Sequence, residues 1–217
     1  MSDKDKEEID YYDSFHGLSH LAIIYGLLYP YYFLRYRTQI HGQEHVPTPG
    51  QPFIIVCNHF SYSDPTIISM ALRKPVAYVG KKELFDGQKK WFSDLITFLG
   101  AIPINREKPG ASSLKAIKKI LLEKKWPVGI FIEGTRNQSR EALTKLETGA
   151  AFMAKLGGGL PVLPVGIKGG QKSGDKLEIN VGSLIPFDSK LSLEEMTVLY
   201  GRAVSELAGL RFDFDGF

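Results

Sequence analysis

The sequence predicts an α/β domain: a mixed, largely parallel sheet flanked by helices, preceded by an N-terminal helical segment of different character. Three observations carry this. Short apolar runs rich in β-branched residues recur at 53–57, 76–79, 102–104, 128–132, 161–167 and 177–181, as expected of strands buried on both faces. Stretches with helical periodicity separate most of them. Polar, glycine-bearing blocks follow several of the runs directly, at the place where an open α/β sheet binds ligands.

With 217 residues, 43% of them hydrophobic and 24% charged, the chain can bury one sizeable core. A net charge of +3 is too mild to indicate nucleic acid but suits anionic headgroups or phosphorylated substrates. The single cysteine, Cys57, excludes an internal disulfide, and its place in an apolar run makes it a buried, inert thiol. No secretory leader is expected, because the start is charged and acidic (Asp3, Asp5, Glu7, Glu8 and Asp10).

Residues 14–34 carry no Asp, Glu, Lys or Arg, hold Tyr25, Tyr29, Tyr31, Tyr32 and Phe33, and end at Arg35 and Arg37. Tyrosine favours the headgroup level of a bilayer. The segment reads as helices lying in a membrane interface. A bilayer span is the alternative on length alone, and a helix packed on the domain is the plain one. Residues 1–35 are accordingly set apart as a membrane-associating segment and 36–217 as the α/β domain.

Within the domain, 37–41 reads as a strand, 89–98 as a helix, and 111–125 as an amphipathic helix with Leu114, Ile117, Ile120 and Leu121 on one face. Residues 148–156 form a helix stopped by Gly157, Gly158 and Gly159. Residues 193–207 close the chain as a last helix. The helix over 66–72 starts at Ser63 or Asp64, either of which can cap it, with Pro65 in its first turn.

That helix start lies five residues beyond His59, which itself follows the strand at 53–57. An imidazole can take a proton from a hydroxyl, and a carboxylate on its other nitrogen fixes the tautomer and stabilises the imidazolium. His-x4-Asp alone is weak, since Asp64-Pro65 also makes an ordinary helix cap. His16 and His20, and His41 and His45, are spaced by four, but no acidic or thiol partner stands at ligand spacing, so no metal is expected. There is no Gly-x-Ser-x-Gly elbow of a serine hydrolase.

Four blocks together decide more. Asn58-His59-x4-Asp64, Gly100-Ala101-Ile102-Pro103-Ile104-Asn105-Arg106, Phe131-Ile132-Glu133-Gly134-Thr135-Arg136 and Leu160-Pro161-Val162-Leu163-Pro164-Val165 stand in this order, and over about residues 40–187 the chain resembles the glycerolipid acyltransferase family. The resemblance implies transfer of a fatty acyl group from acyl-CoA or acyl carrier protein to the free hydroxyl of a lysophospholipid, foremost 1-acylglycerol-3-phosphate, with no cofactor. It implies His59 and Asp64 as the general-base dyad. Acceptor binding falls to Arg106, Glu133, Gly134, Thr135 and Arg136, and to Lys81, with which Lys82 competes. Glu133 can instead be structural, bonding the loop that carries His59. The implied setting is membrane lipid on the cytoplasmic face, bound monotopically.

Two departures matter. Asn105 replaces the Asp usual in the second block, and Leu146-Glu147 replaces an aromatic and a cation. The second puts the acceptor headgroup in doubt, although Lys145 stands one residue away. Another lysolipid or a glycolipid is the alternative acceptor, a non-catalytic lipid-binding relative is an alternative of another class, and thioester hydrolysis is a fourth reading.

Overall fold

The computed structural model describes residues 14–86, 89–105 and 110–217. The expected α/β sheet is there. β1 (Arg37–His41), β2 (Ile54–Cys57), β3 (Ala77–Lys81), β4 (Ala101–Ile104), β5 (Val128–Phe131), β7 (Val162–Gly169) and β8 (Lys176–Val181) form one sheet in the order β1-β8-β7-β2-β5-β3-β4. Every neighbouring pair is parallel except β7 with β8. Two strands of two residues each, β6 (Ala142–Leu143) and β9 (Arg211–Phe212), pair in a separate small sheet. The sequence did not predict them, because two residues carry no readable periodicity.

β2 lies at the centre and is buried along its whole length. Its alternation divides the core. Ile54 and Val56 face one cluster, with Ile117, Ile120 and Leu121, Ala150 and Met153, and Met196, Tyr200 and Val204. Those residues belong to helix α6 (Ala111–Lys119), its π-helical extension Ile120–Lys124, α7 (Gly149–Leu156) and α8 (Leu193–Ala208). Ile55 and Cys57 face a second cluster, with Ile67, Ile68, Met70 and Leu72 of α3 (Asp64–Leu72).

The second cluster also contains Ile24 and Tyr32 from the N-terminal segment. That segment is α1 (Ser14–Ile23), a π-helical turn Ile24–Leu28 and α2 (Tyr29–Arg35). Its tyrosines tie it to α3: Tyr25 Oη donates to the Met70 carbonyl at 2.5 Å, and Tyr32 Oη lies 3.0 Å from Thr66 Oγ1. Thr66 donates to Ser63 O, so Tyr32 is the donor in its own pair. The opposite face leaves Leu18, Ile23, Leu27, Tyr31, Phe33 and Leu34 exposed, Leu34 at 85%. One face is thus core and the other apolar and open. Among the described residues no helix is long and apolar enough to cross a membrane.

Parallel strands end at the same edge, and that edge gathers the sequence blocks. Cys57 of β2 is level with Phe131 of β5, and Lys81 of β3 with Ile104 of β4. The loops after β2 and β5, and the short helices α4 (Glu83–Asp86) and α5 (Lys90–Phe98) after β3, therefore meet at one site.

Candidate active site

His59 sits in the loop from β2 to α3, and Asp64 is the first residue of that helix. His59 Nδ1 and Asp64 Oδ2 are 2.8 Å apart. The same carboxylate accepts from Phe60 N at 2.6 Å, Ser61 N at 2.8 Å and Ser61 Oγ at 3.0 Å. Asp64 is thus no helix cap. The N-cap residue is Ser63, and no side-chain cap bond forms. With acceptor oxygens on Asp64, the imidazole proton resides on Nδ1, which leaves the Nε2 lone pair as the site for a substrate proton.

The backbone of this loop is clamped from both neighbouring strands. Asn58 is fully buried, and its amide makes two bonds to Ile167 of β7, donating to the carbonyl at 2.9 Å and accepting from the N–H at 2.8 Å. His59 N donates to Glu133 Oε2 at 2.9 Å, and the His59 carbonyl accepts from Asn137 N at 2.7 Å. Burial pushes the Glu133 carboxyl up to about 7, against the opposing effect of its bonds from His59 N and Asn137. At 3% exposure, Glu133 turns inward to the His59 loop, the structural alternative that the sequence leaves open for it. The Cys57 thiol is also raised well above its usual value by burial, as befits an unreactive sulfur.

Beneath the imidazole lies a column of rings. His59 stacks on Phe131 with centroids 3.8 Å apart and planes 14° apart, and Phe131 stacks on Tyr78 at 5.7 Å. Gly129 explains how Tyr78 fits: a Cβ there would stand 2.4 Å from the tyrosine ring. Neither Phe131 nor Gly129 is marked out by sequence motif for this task, since their facing depends on register.

Phe131 separates two cavities. An apolar one of about 130 Å³ is lined by His59, Tyr62, Tyr78, Phe85, Phe92 and Ile96, among others. A larger groove of about 620 Å³ is lined by Lys81, Gly134, Thr135, Lys145 and Glu147 together with Ile130 and Phe152. Val79 and Phe131 line both. Lys81 thus faces the groove, whereas Lys82 pairs with Asp86 at 3.7 Å. Leu146 is core, and Glu147 pairs with Lys145 at 2.7 Å. Arg136 is exposed and lies over the Tyr62 ring, 4.0 Å from its centroid. Arg106 lies outside the described residues.

Of the histidines spaced by four, His20 and His45 each lie against a backbone carbonyl. His20 Nδ1 lies 3.3 Å from the Phe98 carbonyl, and His45 Nδ1 donates to Val181 O at 2.9 Å. Among the described residues no three His, Cys, Asp or Glu side chains stand as a metal-binding group.

The chain is 34% identical over 137 residues to the 1-acyl-sn-glycerol-3-phosphate acyltransferase of Bacillus subtilis, covering 63% of this chain and 65% of that one. It is 27% identical over 178 residues to that of Streptococcus pneumoniae, covering 78% and 64%. Against the human alpha enzyme of the same name it is 29% identical over 154 residues, covering 68% and 48%. The chain thus spans less than two thirds of the length of these relatives. A crystal structure of a 1-acyl-sn-glycerophosphate acyltransferase from Thermotoga maritima has the same fold, with TM-score 0.63 at 20% identity over 96% of this chain and 83% of that one. Residues 37–168, more than half the chain, match the acyltransferase family, and the chain belongs to it.

Proposed function

We propose that this protein transfers a fatty acyl group from a thioester, acyl-CoA or acyl carrier protein, to the free hydroxyl of 1-acylglycerol-3-phosphate, giving phosphatidic acid. One observation carries the reading: an oriented imidazole lines an apolar pocket and stacks on Phe131, which also walls a larger groove that carries Lys81, Thr135 and Lys145. An acyl chain suits the first and a headgroup the second.

In this reading His59 Nε2 takes the hydroxyl proton as the oxygen attacks the thioester carbonyl. Asp64 holds the ring and stabilises the imidazolium. The tetrahedral intermediate then collapses, the C–S bond breaks, and the thiolate leaves and recovers the proton from the imidazolium. A thiolate is a good leaving group, so neither a strong acid nor a cofactor is required. Arg136, Thr135 and Lys81 receive the acceptor phosphate, Arg136 with its planar fork. Arg106 is assigned the same role from its motif alone. The exposed face of α1 and α2 lies against the cytoplasmic leaflet, where the lysolipid resides, without spanning it.

The Lys145–Glu147 pair favours a second reading, a lysolipid or glycolipid acceptor with a different headgroup, because an anion occupies the groove. Purified protein given a panel of lysolipids and thioesters, with products read by mass spectrometry, tests both. Acylation of 1-acylglycerol-3-phosphate above the other acceptors is expected. Preference for an uncharged or zwitterionic acceptor overturns the first reading, and thioester hydrolysis without lipid product overturns both.

A further inference from the structure

We infer that Tyr62 is a positioning residue for Arg136, holding its guanidinium so that the N–H edge is presented to the acceptor phosphate. This rests on the proposed role of Arg136 and extends it to a residue that no motif assigns.

Two arginine–aromatic stacks flank the His59 loop, and they differ in a telling way. Arg140 lies over Phe60 at 4.7 Å, and its Nη1 donates to the Gly169 carbonyl at 3.2 Å. Face and edge are both engaged there, which ties two loops together. Arg136 lies closer to its ring, 4.0 Å from the Tyr62 centroid, and no hydrogen bond or ion pair joins its guanidinium to another described residue. A stack engages the guanidinium through its face and leaves the in-plane donors free for a bidentate phosphate contact. A freely rotating arginine would lose that order on binding phosphate, so orientation in advance raises affinity.

Tyr62 also links the two substrates. Its ring lines the apolar pocket beside His59, while Thr135, the neighbour of Arg136, lines the larger groove. One ring therefore sets the headgroup contact against the pocket wall, with the imidazole close to both. Being 61% exposed, Tyr62 adds little to the core, so its replacement leaves the fold intact.

The experiment is a double-mutant cycle with 1-acylglycerol-3-phosphate as acceptor. Tyr62→Leu keeps an apolar pocket wall but removes the ring face. It raises acceptor KM roughly 3- to 30-fold, the range of a cation–π contact, and that rise exceeds any change in kcat or donor KM from the altered pocket wall. Tyr62→Phe keeps the stack and behaves as wild type. In an Arg136→Ala background, Tyr62→Leu has no further effect on acceptor KM. Independent, additive losses overturn the inference, as does an unchanged KM in Tyr62→Leu. Should Arg136→Ala alone leave acceptor KM unchanged, the phosphate reading fails first, and the role of Tyr62 with it.

Discussion

The imidazole of His59 lies nearly parallel to the ring of Phe131, centroids 3.8 Å apart, while its Nδ1 is bonded to Asp64. Stacking fixes the ring plane, and the carboxylate fixes the rotation within it. Nε2 is left as the nitrogen for a reacting hydroxyl.

His59→Ala removes that nitrogen. Turnover is expected to fall at least 100-fold, the usual contribution of a general base, with an unchanged circular dichroism spectrum. Asp64→Asn sets an amide N–H among four donors, and turnover falls less steeply than for His59→Ala. Retention of more than about a tenth of wild-type turnover in His59→Ala would remove His59 from the role of base.

The ring column predicts stability as well as rate. Gly129→Ala drives a Cβ to within 2.4 Å of Tyr78, and overpacking of this kind costs about 1–3 kcal/mol. Phe131→Leu keeps an apolar wall but loses the stack, so kcat falls more than unfolding stability does. Urea titration and steady-state kinetics on the same samples separate the two. Loss of stability without loss of kcat in Phe131→Leu would show that the stack is core packing and nothing more.

Glu133 gives the pH dependence. Its carboxyl titrates at 4.5 in the reference state and at about 7 in the fold. Between those values the folded chain keeps a proton that the unfolded chain has released. Stability from this group is therefore fully present below 4.5, falls as pH rises towards 7, and levels above. The full change is on the order of 3 kcal/mol. Glu133→Gln keeps an acceptor for His59 N and removes the titration. Urea midpoints at acid and at neutral-to-alkaline pH should differ less in the variant than in wild type, and equal differences would refute the assignment.

The dyad is legible in the sequence because it is local: five residues and a helix start bring Asp64 back to His59. The sheet is legible because buried strands leave uninterrupted apolar runs, as at residues 53–57. What supports the site is not, because it depends on register between distant strands. That Gly129 makes room for Tyr78, that Asn58 pairs with Ile167, and that Asn137 bonds the His59 carbonyl are consequences of where β2, β5 and β7 lie beside one another. The spacing allows Asp64 a capping role, yet four donors from the preceding loop converge on its carboxylate instead. Nor does the pattern in residues 14–34 divide the segment at its edge, since Ile24 and Tyr32 share a core with α3.

That shared core changes how membrane docking has to be tested. The sequence sets residues 1–35 apart from the α/β domain, but deleting them would strip Ile24 and Tyr32 from the cluster around α3 and would mix unfolding with undocking. Exposed residues alone should be changed. Leu27, Phe33 and Leu34 are 67%, 59% and 85% exposed, so charging them leaves the core untouched. The variant Leu27→Glu, Phe33→Glu, Leu34→Glu loses apolar burial in the bilayer and adds repulsion from anionic headgroups, each charge worth about 1 kcal/mol near the surface. It should no longer sediment with anionic vesicles, while its thermal midpoint stays within a few degrees of wild type. Activity on long-chain lysolipid in vesicles should fall sharply, and activity on a short-chain, water-soluble acceptor should persist. Continued sedimentation with vesicles would move the membrane contact to another surface, the basic helix α6 with Lys115 and Lys118 being the next to test.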